Sequence, residues 1–178
     1  MRKILLIPLM LCVIALLPTL WIPAVHANPP KTVSQRSDRS IPDPNMETRF
    51  TEDGNVIVHA WGGGGYFHGP TYGVLSGKWI HDEWQVVHLA DGIVTINGVW
   101  DTPEGVTFYD DGAIYSGTID ARYWGTADMA TGVFEGRWVV LSGTGDLANL
   151  RGGGAVWSDP AIDPLYLHGS FQYHFDPD

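Results

Sequence analysis

The chain has 178 residues, with 20 acidic and 10 basic side chains, a net charge of −10 and a single cysteine. An acidic surface of this kind repels phosphate backbones and disfavours nucleic-acid binding. One cysteine excludes an internal disulfide, so packing and hydrogen bonding must hold the fold.

Arg2 and Lys3 precede an apolar run from Ile4 to Ile22, and Val25-His26-Ala27 follows as a small-residue cleavage pattern. Residues 1–27 therefore read as a signal peptide cut after Ala27, which places the mature chain in a secreted or periplasmic setting. A membrane anchor is the rival reading of so long an apolar run, but Pro8, Pro18 and Pro23 interrupt it. Cys12 lies inside the run behind the bulky Leu11, which does not suit lipidation. Cleavage leaves eight basic against twenty acidic residues, a net charge of −12, and no cysteine. A Cys nucleophile and a Gly-x-Ser-x-Gly elbow are then both missing, so the common hydrolase signatures fail.

Residues 28–49 carry Pro29, Pro30, Pro42 and Pro44 among polar side chains and read as a flexible linker. All 22 glycines fall at or after Gly54, and seven of the eight tryptophans at or after Trp61, so residues 50–178 read as one folded domain. Its pattern has period two. Ala113, Tyr115, Gly117, Ile119, Ala121 and Tyr123 alternate with a mostly polar set, as do Phe134, Gly136, Trp138 and Val140, and Leu165, Leu167, Gly169, Phe171, Tyr173 and Phe175. These are half-buried strands of an antiparallel sheet.

Asp53-Gly54, Asp91-Gly92 and Asp111-Gly112 suit tight hairpins, and Pro103-Glu104-Gly105 suits another turn. The strands are expected near 55–61, 71–81, 83–90, 93–100, 106–109, 113–124, 132–141, 153–158 and 165–175. Gly73-Val74-Leu75-Ser76-Gly77-Lys78-Trp79-Ile80 matches Gly132-Val133-Phe134-Glu135-Gly136-Arg137-Trp138-Val139 at six identical or conservative positions. Glycine next to a large ring on one face lets a strand bend while the ring fills the space. The expected fold is all-β, a small antiparallel eight-stranded meander β-barrel, with an open sandwich as the alternative.

The segment from Ser142 to Gly154 differs from the other turns. Asp146 can cap a short helical turn whose Leu147 and Leu150 face the barrel, with Gly152 ending it. It reads as a plug at one mouth, because no Gly-Lys-Ser/Thr follows to make a phosphate cradle. The Gly62 to Gly65 run fails that test too and reads as a strand-connecting loop.

Gly136-x-Trp138, then Gly143-Thr144-Gly145-Asp146-Leu147-Ala148-Asn149-Leu150-Arg151-Gly152 and a returning strand, resembles the allene oxide cyclase and dirigent-like barrel group, within the calycin-like barrels, and its bacterial relatives. The likeness is close over residues 132–157. It implies an eight-stranded antiparallel barrel with an apolar cavity, which characterised members use to steer cyclisation or radical coupling of hydrophobic molecules.

The expected cavity lining is Trp79, Trp100, Tyr115, Tyr123, Phe134, Trp138, Trp157, Phe171 and Tyr173, a face without an acid or a base. Asp120, Arg122, Glu135 and Arg137 fall on the opposite face, as cross-strand ion pairs, so no catalytic residue emerges and any enzyme would be an isomerase or cyclase. No cofactor or metal is expected. His168 and His174 share a face but lie roughly 20 Å apart along a strand. His59 with His68, or His81 with His88, could converge only through loop geometry, so surface histidines are the expectation. The leading functional reading is an exported barrel binding a small hydrophobic or aromatic molecule. The alternatives are a cyclase or isomerase on an enclosed apolar substrate, and an outer-membrane or purely structural barrel.

Overall fold

The computed structural model describes residues 30–177, so the leader expected over residues 1–27 lies outside the described part. Eleven strands follow one another: β1 (Lys31–Asp38), β2 (Asn45–Phe50), β3 (Val56–His68), β4 (Leu75–His88), β5 (Ile93–Asp101), β6 (Val106–Asp110), β7 (Ala113–Gly117), β8 (Ile119–Asp128), β9 (Phe134–Gly143), β10 (Leu150–Ser158) and β11 (Tyr166–Phe175). All pairings are antiparallel, and β1, β3, β4, β5, β8, β9, β10 and β11 close into a ring of eight, the expected barrel-like meander. β2 lies outside the ring on β3.

The β6–β7 hairpin continues the β5–β8 ladder past Thr102–Gly105, so β5–β6 and β7–β8 act as the two arms of one long hairpin. Its tip holds Asp111 and Gly112 at φ 47° and 88°, the two positive angles that a two-residue turn of this hand requires.

Residues 28–49, expected as a linker, instead supply β1 and β2. β1 pairs with β11 over eight residues, Lys31 opposite Tyr173 through Asp38 opposite Tyr166, and thereby closes the ring. Its inward residues are Val33, Gln35 and Ser37, so the strand forms through its neighbours' backbone groups and carries little apolar alternation of its own. The seam between β1 and β3 is short, with Ser37 opposite Phe67 and a bridge from Ile41 to Gly64. The buried Gln35 side chain ties β1 to the start of β4, accepting from the Val74 and Leu75 amides at 3.0 and 2.9 Å.

The segments expected at 71–81 and 83–90 form the single strand β4, and the one expected at 113–124 is broken at Thr118. Gly62–Gly65, expected as a loop, lies within β3 at a register shift. The chain linking β1 to β2 crosses these glycines so closely that a Cβ at Gly63 would sit 2.1 Å from an Asp43 carboxylate oxygen.

The core is packed most densely at the end of the ring that carries the β6–β7 hairpin. Phe108 is fully buried, with Tyr173, Phe175 and Phe171 edge-on to it at 4.9, 5.7 and 6.1 Å between ring centroids. A 3₁₀ turn, Gly145–Leu147, lays Leu147 and Leu150 into the same cluster, both fully buried. The plug is therefore formed, with Thr144 rather than Asp146 at its N-terminus and Ala148 rather than Gly152 at its end. The Asp146 carboxylate instead accepts from the Ser116 amide of β7.

Candidate functional site

The alternation of β4 sends Leu75, Trp79, His81 and Glu83 inward and Asp82 and Trp84 outward. Above the packed end the ring does not fill itself, and a cavity of about 460 Å³ remains. Its body is aromatic and aliphatic. Trp79, Phe67, Trp100 and Trp138 follow one another around the wall with ring centroids 6.3, 5.3 and 5.7 Å apart, joined by Phe134 and Ile96. The mouth is framed by Gly132, Ser158 and Pro164–Leu165 from the β8–β9 and β10–β11 connections and by Arg39–Ser40 after β1.

One side of the pocket is polar. The Glu83 side chain is 1 % exposed. Its Oε1 accepts from Gln85 Nε2 at 2.5 Å and from Arg39 Nη2 at 3.3 Å, and its Oε2 accepts from the Tyr123 hydroxyl. Burial by itself would raise the Glu83 carboxyl, but the Arg39 charge and the hydrogen bonds from Tyr123 and Gln85 outweigh it and hold the group below the ordinary glutamate range. Burial, then the Glu83 charge and hydrogen bond, raises the Tyr123 phenol, so Tyr123 stays a donor. His81, equally buried, places Nε2 2.5 Å from Asp43 Oδ1.

Lateral register explains how Glu83 and Tyr123 meet. Glu83 on β4 stands opposite Gly98 on β5, and Gly98 stands opposite Tyr123 on β8. A Cβ at Gly98 would lie 2.6 Å from Tyr123 Cζ. The missing side chain is what lets the phenol lie across β5 and reach the carboxylate two strands away.

Of the nine residues expected to line the cavity, Trp79, Trp100, Tyr123, Phe134 and Trp138 do so. Tyr115, Phe171 and Tyr173 face inward but belong to the packed end around Phe108. The Tyr173 hydroxyl donates to Asp110 at 3.0 Å, and burial followed by that bond pushes the phenol up to about 12. Trp157 does not line the cavity. It is 41 % exposed on the outer face of β10, stacked on His168 at 4.4 Å.

The inward face also carries an acid and a base that the sequence reading left out. Dividing β4 at Asp82 broke the run Trp79, His81, Glu83, and carrying the alternation through it is the signal that finds them. The outward placement of Asp120, Arg122, Glu135 and Arg137 holds, but not the ion pairs expected among them. Their register partners across β8 and β9 are Ser142, Val139, Thr126 and Trp124, and Asp120 accepts from the Ser142 hydroxyl at 2.6 Å.

The histidine pairs do not converge. His59 meets Asp82, His68 meets Asp38, His81 meets Asp43 and His88 meets Thr95. His81 is in the core and not on the surface. Among the described residues no group of three or more His, Cys, Asp or Glu side chains is placed to hold a metal ion. Compared with known proteins, the chain matches no family model and no curated protein.

Proposed function

We propose that the ring binds a small hydrophobic or aromatic molecule, with its body among Trp79, Trp100, Phe134 and Trp138 and one polar group on the side that carries Glu83 and Tyr123. The carrying observation is that a cavity of about 460 Å³ lies above a core packed tightly at the other end, within the size range of small-molecule sites. This reading accords with the resemblance of residues 132–157 to the allene oxide cyclase and dirigent-like group, whose characterised members use such a cavity. The outward charges of Asp120, Arg122, Glu135 and Arg137 favour a water-facing outer surface over the apolar band of a lipid-facing barrel.

The test is a titration with the neutral probe N-phenyl-1-naphthylamine, following quenching of tryptophan emission. Saturable quenching is expected, and Ile96→Trp, which fills the cavity, should abolish it. Binding that survives Ile96→Trp would overturn this assignment, as would a failure of every apolar probe to quench.

A second reading, a cyclase or isomerase acting on a bound molecule, draws on the Glu83–Tyr123 pair, buried polar groups in the pocket wall. It requires that a bound molecule be altered. Recovery of every tight-binding ligand unchanged after prolonged incubation, checked by mass spectrometry, would eliminate it.

A further inference from the structure

We infer that the molecule this pocket takes is an organic cation, an apolar body bearing an ammonium group, and not a carboxylate. The inference rests on the pocket reading above and concerns the charge of the ligand's polar end.

The first support is the balance of charge at the polar side. Glu83 lines it and Asp43 stands behind the lining His81, with a single guanidinium, that of Arg39, 3.3 Å from one and 4.0 Å from the other. Asp38, a third carboxylate on the pocket wall, is engaged by His68 Nε2 at 2.7 Å and by the Ser40 hydroxyl and the Ser40 and Tyr66 amides. His81 directs Nε2 at Asp43 and so carries the proton on that atom. Even with Arg39 counted in full, the carboxylates outnumber it.

A carboxylate head would bring another negative charge into this partly desolvated space. The donors on Glu83 from Gln85 and Tyr123 are already committed, so the newcomer would have to share the one guanidinium that Glu83 already holds. An ammonium head reverses the sign of each of these terms.

The second support is the wall itself. Trp79, Phe67, Trp100 and Trp138 form a continuous series of rings around the cavity. Trp100 is paired across the strands with His81, two residues along β4 from Glu83. Ring faces attract cations, most strongly where water is excluded. An aromatic wall next to an ionised carboxylate therefore favours an alkylated ammonium twice over. The chain's net charge of −10 steers cations toward it from solution as well.

The experiment compares one tail with three heads. Decyltrimethylammonium, decanol and decanoate, each below its micelle concentration, are titrated into the folded chain at neutral pH and followed by tryptophan quenching. The ammonium should bind at least about tenfold more tightly than decanoate, and more tightly than decanol. Glu83→Gln and, separately, Asp43→Asn should narrow the ammonium-to-decanol ratio. That ratio is internal to each variant, and the wild-type series decides the question even if Glu83→Gln fails to fold. Equal binding of the three heads, or tightest binding of decanoate, would overturn the inference and leave an apolar pocket standing. Failure of all three to bind would instead remove the pocket reading beneath it.

Discussion

The two ends of the ring use the same kinds of side chain for opposite purposes. At the end carrying the β6–β7 hairpin, Phe108 is fully buried among aromatic neighbours, and the hydroxyl of the nearest of them, Tyr173, turns to Asp110. Lys31 at the start of β1 meets the same carboxylate at 2.5 Å and that of Asp111 at 2.7 Å, so polar groups rim this end without entering it. At the other end Trp79, Trp100 and Trp138 leave a cavity between them, and charges are brought inside. Stability and binding are therefore expected to separate along the barrel axis.

The largest blow to this contrast would come from Phe108→Ala. Truncating a fully buried ring costs about 3–5 kcal/mol, measurable by urea unfolding, while ligand affinity in whatever fraction stays folded should change little. A large loss of affinity in the folded fraction would mean that the two ends are not independent.

Gly98→Ala should cost less, about 1–3 kcal/mol by overpacking, but should act on the pocket, because the new methyl group displaces the Tyr123 ring that lies over it. Loss of the Tyr123–Glu83 hydrogen bond, read from the tyrosine absorption band, should accompany it. An unchanged band would show that β5 can shift to make room.

Acid should weaken the pocket end through Glu83. Its folded carboxyl lies below the ordinary range, so its contribution is complete above the pH at which an unfolded glutamate ionises and is lost as pH falls through the lower, folded value. Asp38 is lowered as well, with burial opposing and the Ser40 and His68 bonds prevailing, and shares the same acid limb. Glu83→Gln should therefore flatten, without abolishing, the fall in unfolding free energy on acidification. A slope identical to wild type would show that Glu83 titrates alike in the folded and unfolded chains.

The smallest effect is expected from Trp157→Ala. The ring is outside the barrel against His168, so stability should change by less than about 1 kcal/mol, and probe binding in the pocket should be untouched. Weakened binding would return this residue to the cavity lining.

Much of the β8, β9 and β11 architecture was legible from alternation alone. Ile119, Ala121, Trp138, Val140, Phe171 and Tyr173 all face inward as their spacing demands. Trp157 misled because Val156, not Trp157, is the β10 residue packed against the core. Hydrophobicity ranks a tryptophan above a valine, but strand parity decides which of two adjacent side chains is inside. Glu83 escapes notice because the expected strands, 71–81 and 83–90, break the alternation at Asp82, whereas here one strand runs through, Asp82 faces solvent and Glu83 turns in.

The sequence by itself determined the period of two, the glycine-containing turns and the choice of an all-β chain, because these depend on neighbours a few residues away. Only the tertiary structure decided that β1 closes the ring, that Arg39 reaches the pocket and Asp43 the lining His81, and that Glu83, Gly98 and Tyr123 form one row. Those facts depend on lateral register between strands far apart in the chain, and register is set by how all eight strands close upon one another, which no local pattern of residues encodes.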